Sequence, residues 1–406
     1  MSEAIELRAY EDALLALSEE DLRFLQSGIG GRFRMRPSFG TDEWVINPQQ
    51  YVGVVSLPSG QRITVHPRVS AKNILYMLAV AYRFRADFFP EIETFERLDE
   101  VLEPVAEYFA DLVDRRIQEG LYRAYVETED NLPVVRGRVD FPRDVRLNAV
   151  LRHRTYCRYS EFTWDVGENQ VLKYVCYLLS GWRFRRKGLT GRLVALDVQL
   201  DEISYRPFTS ADVSRFVYQR HNEAYRPSHS LCALLLESAS LSEAAGVNEF
   251  RTFLLDMNKL FEKFVGQILV DRCAESSWSA TEQEGHWLAR AGRIGIIPDL
   301  VIRYGAAICS IADCKFKRIS QESDYHNHDY YQVLAYCTAL KVDRGVLIYP
   351  KHELEIEDEA RILHSDVVIR RMSVDLSGTP AQLRAACDRL AKEILDWSGA
   401  QIVVAA

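Results

Sequence analysis

The chain has 406 residues, which is more than one ordinary hydrophobic core holds and predicts two or three domains. Hydrophobic residues make up 48% and charged residues 27%, a balance typical of water-soluble globular proteins, and no apolar run approaches the ~20 residues of a membrane span. The net charge of −8 argues against a protein that coats nucleic acid by bulk attraction, but it is compatible with a local basic groove.

The eight cysteines are scattered, without a CxxC pair or a zinc-finger spacing. This pattern predicts reduced, mostly buried thiols, and the acidic N-terminus is unlike a signal peptide, so we expect a cytoplasmic protein. The chain contains no GxxxxGK[ST] sequence, and we therefore expect that it binds no nucleotide itself.

Residues 1–245 are predicted to be an α+β region with strand hairpins at its start and helices in its middle. Tyr51–Leu57 and Gln61–Pro67 are rich in β-branched residues, and the Pro-Ser-Gly sequence between them indicates a hairpin. A further strand and turn is expected at Asn131–Phe141. Apolar spacing and a proline in a first turn predict helices over Asn73–Tyr82, Pro104–Gln118 and Glu168–Ser180.

Residues 246–406 are predicted to be a separate α/β domain, because the Ser- and Ala-rich stretch Ser238–Gly246 is the best linker candidate. The expected elements are a helix over Thr252–Leu269, strands over Ile294–Arg303 and Ala307–Phe316, a helix over Asp329–Lys341 and a strand over Gly345–Tyr349.

Three charged side chains interrupt these apolar strands. Asp299 follows Pro298 within the first strand, and Asp313 and Lys315 end the second. Side chains two apart in a strand project to the same side, so Asp313 and Lys315 share a face, and the hairpin brings Asp299 beside them. The alternative interpretation is a turn at Pro-Asp and an ordinary surface ion pair.

Two carboxylates and an ammonium at one sheet edge are the groups that phosphodiester hydrolysis needs. Mg²⁺ sits on one or two carboxylates and keeps several waters, while a lysine offsets charge in the transition state. We therefore predict Asp299, Asp313 and the Cys314 carbonyl as ligands of Mg²⁺, for which Mn²⁺ can substitute, and Lys315 as the catalytic cation.

Further polar residues flank this set. Glu262, on the polar edge of the preceding helix, is predicted to reach the metal through water; the alternative is a solvated glutamate. Gln332 and Tyr336 are four apart on one helix face and are predicted to brace the lysine or touch DNA phosphate, unless they simply pack.

Basic and histidine-containing segments are weaker candidates. DNA contact is considered for Arg152, Arg154, Arg183, Arg185, Arg186 and Lys187, although short basic runs are usually solvated surface. His326 and His328 lie in Asp-Tyr-His-Asn-His-Asp, where an exposed loop before the helix is favoured over an imidazole metal site.

These residues resemble the McrC family, the nuclease subunit of modified-cytosine-dependent restriction systems, within the PD-(D/E)xK nuclease superfamily. The resemblance rests on an ordered set of segments: residues 51–60 (YVGVVSLPSG), 63–67 (ITVHP), 132–140 (LPVVRGRVD), 168–173 (ENQVLK), 257–265 (MNKLFEKFV), Pro298–Asp299, Asp313–Lys315 and 331–336 (YQVLAY). The family motif usually has Ala between Asp and Lys, where this chain has Cys314.

The resemblance implies a restriction-endonuclease-like domain at the C-terminus and a partner, a hexameric AAA+ GTPase of McrB type. It also implies that the chain docks on that ring, stimulates GTP hydrolysis through its N-terminal part and cuts double-stranded DNA. Two alternatives remain open from the residues. One is a stand-alone PD-(D/E)xK nuclease in DNA repair, and the other is an NTPase-activating adaptor with a vestigial nuclease site.

Overall fold

A computed structural model describes residues 4–29, 31–84, 101–150, 153–182, 184–242, 249–274, 276–317, 327–351 and 358–399. The chain divides into two compact units, one made of Met1–Val101 with Thr252–Ala406 and the other of Leu102–Arg251. This division differs from the one predicted at residue 245, because the N-terminal segment belongs to the same unit as the C-terminal part.

Both units combine strands and helices, so the fold is mixed α/β as predicted. The strands in chain order are β1 (Ala4–Arg8), β2 (Ala13–Leu15), β3 (Arg34–Pro37), β4 (Trp44–Asn47), β5 (Tyr51–Ser56), β6 (Arg62–His66), β7 (Ala124–Leu132), β8 (Arg138–Val139), β9 (Thr155–Thr163), β10 (Ala239–Ser242), β11 (Glu249–Asp256), β12 (Trp278–Glu282), β13 (His286–Trp287), β14 (Gly295–Ile296), β15 (Leu300–Tyr304), β16 (Ala307–Cys314), β17 (Arg344–Lys351), β18 (Asp358–Arg361) and β19 (Val368–Asp375).

Each predicted helix is present, and its ends agree with the prediction to within a few residues, except that the helix predicted to begin at Thr252 begins later. In chain order the helices are α1 (Glu19–Arg23), α2 (Ala71–Ala81), α3 (Leu102–Glu119), α4 (Phe141–Asn148), α5 (Gly167–Ser180), α6 (Leu189–Gln199), α7 (Ser210–Val213), α8 (Arg226–Ser238), α9 (Met257–Cys273), α10 (Asn327–Leu340) and α11 (Pro380–Gly399). No described helix is both long and apolar enough to span a membrane.

The pairing of β5 with β11 explains why the first 101 residues join the C-terminal part. The predicted hairpin of β5 and β6 is confirmed, and β11 adds to it antiparallel, with Gly53 opposite Leu254. Gly53 has a φ of +141°, and a Cβ there would lie 2.0 Å from the Phe253 carbonyl oxygen. Only glycine therefore permits this close approach of the two strands.

The helix predicted over Thr252–Leu269 begins five residues later than expected. Residues 252–255 are fully buried in β11, so their apolar side chains cover both faces of a strand. A short apolar run of this kind has no periodicity that separates strand from helix. The helix α9 starts at Met257, where the Asp256 carboxylate accepts hydrogen bonds from the amides of Asn258 and Lys259 at 3.0 and 3.3 Å.

A six-stranded sheet in the order β12-β15-β16-β17-β19-β18 forms the centre of the same unit. The pairs β16–β17 and β17–β19 are parallel, whereas β12–β15, β15–β16 and β18–β19 are antiparallel. Ile311 of β16 packs with Val333 and Cys337 of α10, and Ser310, on the opposite face, hydrogen-bonds Ser398 of α11 at 2.6 Å. Helices thus cover both faces of the sheet, which leaves the ends of its strands open to solvent-facing polar groups.

The strand predicted over Ile294–Arg303 is interrupted. Residues 297–299 lie between β14 and β15, so Pro298 and Asp299 precede a strand and are not within one. Pro298 has no amide hydrogen to donate to a ladder, which accounts for the break. The turn after β15 at residues 305–306, the helix α10 and the strand β17 agree with prediction.

The second compact unit, Leu102–Arg251, combines helices with the three-stranded antiparallel sheet β7-β9-β8. Its interior includes a polar contact set, in which the Tyr225 hydroxyl donates to Asn169 at 2.7 Å and His229 contacts the Tyr218 hydroxyl at 3.0 Å. Burial lowers the pKa of His229 to about 4, so this histidine is neutral. Across the chain all eight cysteines are buried and free, as expected.

Candidate active site

The strand register brings Asp299 and Asp313 together. Leu300 pairs with Ala312 in the antiparallel β15–β16 ladder, so the residues one step outward, Asp299 and Asp313, lie across from one another. The Asp299 carboxylate accepts a hydrogen bond from the backbone amide of Cys314 at 2.8 Å. The predicted convergence at this sheet edge is therefore seen, although Asp299 reaches it from the segment before β15.

Lys315 lies beside Asp313, as the two-residue spacing predicts. The Lys315 amide donates to the Ile348 carbonyl at 2.8 Å, which continues the β16–β17 ladder one residue beyond the strand and keeps Lys315 on the face of Asp313. The Lys315 Nζ is 2.5 Å from Asp313 Oδ2, and the Asp313 side chain is only 1% exposed. The carboxylate of the ion pair is thus nearly removed from water, whereas the Lys315 side chain is 21% exposed.

Gln283, which sequence reasoning missed, connects two of the carboxylates. It follows β12, and its backbone amide donates to the Asp299 carbonyl at 3.1 Å. Its side-chain amide donates to the Glu262 carboxylate and, at 3.3 Å, to Asp299 Oδ1. Glu262 of α9 therefore joins the cluster through Gln283. Nothing in the local sequence distinguishes Gln283 from its neighbours, and only the pairing of β12 with β15 puts it here.

Burial and mutual repulsion disturb the titration of these carboxylates. Burial, followed by the charge of Asp299, raises the pKa of Asp313 to about 7 against the opposing attraction of Lys315. Burial and the charge of Glu262 raise the pKa of Asp299 to about 6. The pKa of Glu262 is raised as well, by burial and then by Asp313. Neighbouring carboxylates whose pKa values are raised by burial and by each other's charge are typical of functional sites.

Lys315 stays protonated within this cluster. Burial, the largest single influence, lowers the pKa of its ammonium, but the combined attraction of Asp313, Asp299 and Asp329 holds the pKa above its usual value. A permanently charged donor beside two carboxylates is suited to stabilising negative charge on a bound group.

The donor set fits a hard divalent cation. Asp313 Oδ1 is buried without a hydrogen-bond partner in the described parts of the chain, and the neighbouring carboxylates repel one another. Among the described residues no group of three or more His, Cys, Asp or Glu side chains could hold a metal ion. Asp299 and Asp313 are the two carboxylates that the β15–β16 register sets across from one another. Mg²⁺ is usually held by one or two carboxylates, with waters and phosphate oxygens completing its shell, so these residues suit it.

Tyr336 and Gln332 of α10 interact with each other, as their spacing predicts. The Gln332 side-chain amide donates to the Tyr336 hydroxyl at 2.6 Å. Burial raises the pKa of Tyr336, and the charges of Asp313 and Asp299 add to the rise. Its role in bracing Lys315 or contacting phosphate stays a prediction.

A second ion pair, between the buried Asp329 carboxylate and the partly exposed Lys317, lies next to the cluster. The Lys317 ammonium is 2.7 Å from one Asp329 carboxylate oxygen and 2.8 Å from the other, and the Tyr349 hydroxyl donates to Asp329 at 2.8 Å. The Lys317 amide also donates to the Lys315 carbonyl at 3.0 Å. This arrangement anchors the chain directly after Lys315.

The basic segments considered for DNA contact belong to the second unit. Arg152 and Arg183 lie outside the described residues. Arg154 donates to the Asn131 carbonyl at 3.1 Å, the backbone amides of Arg185 and Arg186 donate to Glu103, and the Arg186 guanidinium pairs with Glu107. Lys187 is exposed. A carboxylate thus offsets the charge of Arg186, and DNA contact by these segments stays a prediction.

Of the two histidines proposed for an exposed loop, only His328 lies within the described residues. His326 lies outside the described residues, and His328 is exposed in the first turn of the helix, so it is not in a loop before it. No described histidine is part of a group able to hold a metal ion.

Comparisons with known proteins agree on one family. The profile of the McrBC 5-methylcytosine restriction system component matches residues 46–350. The chain is 22% identical over 326 residues to the type IV methyl-directed restriction enzyme EcoKMcrBC of Escherichia coli strain K12, an alignment that covers 74% of this chain and 91% of the relative.

A solved structure shares the fold. The chain resembles, with a TM-score of 0.53 and 17% identity, a chain from a half-complex of Thermococcus gammatolerans McrB AAA+ hexamers with bound McrC, covering 96% of this chain and 100% of the other. A second structure, the Thermococcus gammatolerans McrBC complex, gives a TM-score of 0.43 at 18% identity over 67% of this chain and 89% of the other. Because the matching profile spans most of the sequence, the chain belongs to the family of McrBC 5-methylcytosine restriction system components.

Proposed function

We propose that this chain is the Mg²⁺-dependent endonuclease subunit of a type IV restriction complex and that residues 246–406 carry a PD-(D/E)xK nuclease centre. The observation that carries the proposal is the buried cluster of Asp299, Asp313 and Lys315, with a 2.5 Å contact between the last two. A purely structural ion pair gives no reason for a second buried carboxylate beside it, because like charges raise each other's pKa and destabilise the ionised site.

Each side chain then has a chemical task. Asp299 and Asp313 would hold the metal, with the Cys314 carbonyl as a further oxygen ligand, and Gln283 keeps the Asp299 and Glu262 carboxylates oriented. When bound, Mg²⁺ supplies Lewis-acid polarisation of the phosphate and a lowered pKa for water. Lys315 places its positive charge near the non-bridging phosphate oxygens, where negative charge develops as water bonds to phosphorus. The phosphorus–oxygen bond to the leaving sugar breaks, that oxygen takes up a proton from solvent, and the attacking water releases a proton to solvent.

We further propose that the chain works with a hexameric AAA+ GTPase of McrB type and acts on double-stranded DNA that contains modified cytosine. Support comes from the family profile and from the related Thermococcus gammatolerans structure, in which McrC is bound to McrB AAA+ hexamers. The chain itself contains no P-loop sequence, so the nucleotide-hydrolysing part is expected on the partner.

The test is a cleavage assay with Mg²⁺ on methylated and unmethylated plasmid, with and without an AAA+ GTPase of McrB type from the same organism, while GTP turnover is measured in parallel. We expect cleavage only of methylated DNA and only with the partner and GTP. Equal cutting by the chain alone would instead support a stand-alone repair nuclease. Stimulated GTP turnover without any cutting would support an adaptor whose nuclease site is vestigial.

A further inference from the structure

We propose that the hairpin formed by residues 285–298, here named the site hairpin, is a DNA-binding element that holds the substrate beside the nuclease centre. The inference rests on the proposed function for the identity of its ligand. The strand β12 ends at Glu282 and β15 begins at Leu300, so Gln283 and Asp299, which hydrogen-bond each other, form the base of the site hairpin.

The base of the site hairpin is fixed to the sheet. Glu284 forms an ion pair with Arg303 of β15 at 2.7 Å, and that arginine side chain also donates to Thr281 at 3.2 Å. On the return strand, Ile296 is buried in a cluster that includes Tyr330, Val333 and Tyr336 of α10. The element is therefore positioned by packing and ion pairing and presents its tip in a defined place.

The site hairpin exposes large apolar side chains along its length. The Trp287 side chain is 63% exposed, and Ile294 and Ile297 are each 52% exposed. The indole lies over glycine backbone, because a Cβ at Gly292 or Gly295 would be 3.6 Å from its ring. An indole held against glycines but open on its other face is a surface on which a sugar or base can pack.

The charge of the site hairpin indicates the kind of ligand that it binds. Residues 285–298 contain Arg290 and Arg293 and not one aspartate or glutamate, in a chain with 58 acidic residues. Both arginines are exposed, and neither has an ion-pair or hydrogen-bond partner within the described residues. Both guanidinium groups are therefore available to an acidic ligand. A phosphate backbone entering the nuclease centre is such a ligand, since arginine binds phosphate through paired donors and aromatic rings accept the adjoining sugars or bases.

The inference is tested by DNA binding under conditions that prevent cleavage. Fluorescence anisotropy with a short labelled duplex is measured on the full chain, with Ca²⁺ in place of Mg²⁺, from about 50 to about 200 mM salt. The Arg290→Ala/Arg293→Ala variant should bind roughly tenfold more weakly, and its slope of log affinity against log salt should be smaller by about 2. The matched control, Arg384→Ala/Arg389→Ala, removes two exposed arginines from α11 and should bind as wild type.

The tryptophan is tested separately. Trp287→Ala should weaken binding severalfold at every salt concentration without changing the slope, and Trp287→Phe should restore most of the affinity because it keeps an aromatic face. Thermal melting of each variant checks that the fold is retained. Photo-crosslinking to a duplex with 5-iododeoxyuridine should give adducts at Trp287.

The results separate this inference from the proposed function. If the site-hairpin variants bind DNA with wild-type affinity and slope, or if wild type itself has no affinity for the duplex, the inference is wrong. It is equally wrong if these variants lose self-association or partner binding while DNA affinity stays unchanged. Cleavage by Asp313→Asn is a different readout: retained cutting contradicts the nuclease centre, whereas DNA binding by the site hairpin would still stand.

Discussion

The Asp299 carboxylate accepts a hydrogen bond from the backbone amide of Cys314 at 2.8 Å, which ties the segment before β15 to the end of β16. The other oxygen of the same carboxylate accepts a hydrogen bond from the Gln283 side-chain amide at 3.3 Å. Asp299 thus holds together the parts of the site that come from three strands. Its negative charge and its hydrogen bonds are separable contributions, because asparagine can keep an acceptor in the same place.

The Asp299→Asn substitution removes the negative charge and keeps a hydrogen-bond acceptor. We expect cleavage to fall by at least about 10², equivalent to roughly 3 kcal/mol of barrier, because a metal-binding charge is lost while the fold is retained. Asp299→Ala should lose cleavage equally and also lower the free energy of unfolding by about 1 kcal/mol relative to Asp299→Asn, since the Cys314 amide loses its acceptor. The measurements are single-turnover cleavage and urea denaturation, with Asp366→Asn in the exposed β18–β19 turn as control. Equal stability of the two variants would contradict the structural part.

The raised pKa values of Asp299 and Asp313 predict how stability depends on pH. Their values of about 6 and about 7 lie above those of unfolded carboxyls, so the native state binds more protons between about pH 4 and pH 7. Stability from these groups is fully present below that range and is lost as the pH rises through it. Metal-free Asp313→Asn should therefore be more stable than wild type at pH 8, by on the order of 1 kcal/mol, and the gain should vanish near pH 4.

Thermal unfolding in EDTA across this pH range measures the difference between the two proteins. Adding Mg²⁺ should raise the melting temperature of wild type at pH 8 and have little effect on Asp313→Asn. A difference between the proteins that is independent of pH would show that ionisation of Asp313 does not destabilise the native state.

The pair of Lys317 and Asp329 is expected to stabilise the segment after Lys315. Asp329 is 1% exposed, and its removal leaves the Lys317 ammonium and the Tyr349 hydroxyl without their acceptor. We expect Asp329→Ala to lower the free energy of unfolding by roughly 3 kcal/mol. Glu19→Ala, which breaks an exposed pair with Arg23, is the control and should not change stability measurably. A similarly small effect of Asp329→Ala would mean that the pair is not a structural anchor.

Metal selectivity should follow from an oxygen-only site. We expect Mg²⁺ and Mn²⁺ to support cleavage and replacement of His326 and His328 by alanine to leave it within about twofold, because imidazole is not among the ligands. The measurement is a metal titration of cleavage for wild type and the double variant. Loss of metal-dependent cutting in the double variant would favour a histidine site.

Local patterns predicted the carboxylate cluster but not its setting. Asp313 and Lys315 follow from strand alternation, and the short turn after β15 brings Asp299 close even though its strand is broken by Pro298. Gln283 was not predictable, because it reaches the site through the β12–β15 pairing, which no turn signal marks. The β5–β11 pairing joins residues about two hundred positions apart and has no local signal either, so the boundary near 245 was assigned without it. A fragment of residues 1–245 would lack β11, which pairs with β5 in the full chain. Partner binding is therefore tested with the full chain and not with this fragment.

The central claim, that Asp313 and Lys315 form the nuclease centre and are not needed for partner activation, is tested most directly by one paired measurement. Cleavage of methylated DNA and GTP turnover are followed together for wild type, Asp313→Ala and Lys315→Ala, each with the AAA+ partner and Mg²⁺. We expect both variants to lose at least about 10² in cleavage while stimulating GTP turnover to within about twofold of wild type. Cleavage within tenfold of wild type by either variant, or failure of a ring-bound variant to stimulate GTP turnover, would contradict the account.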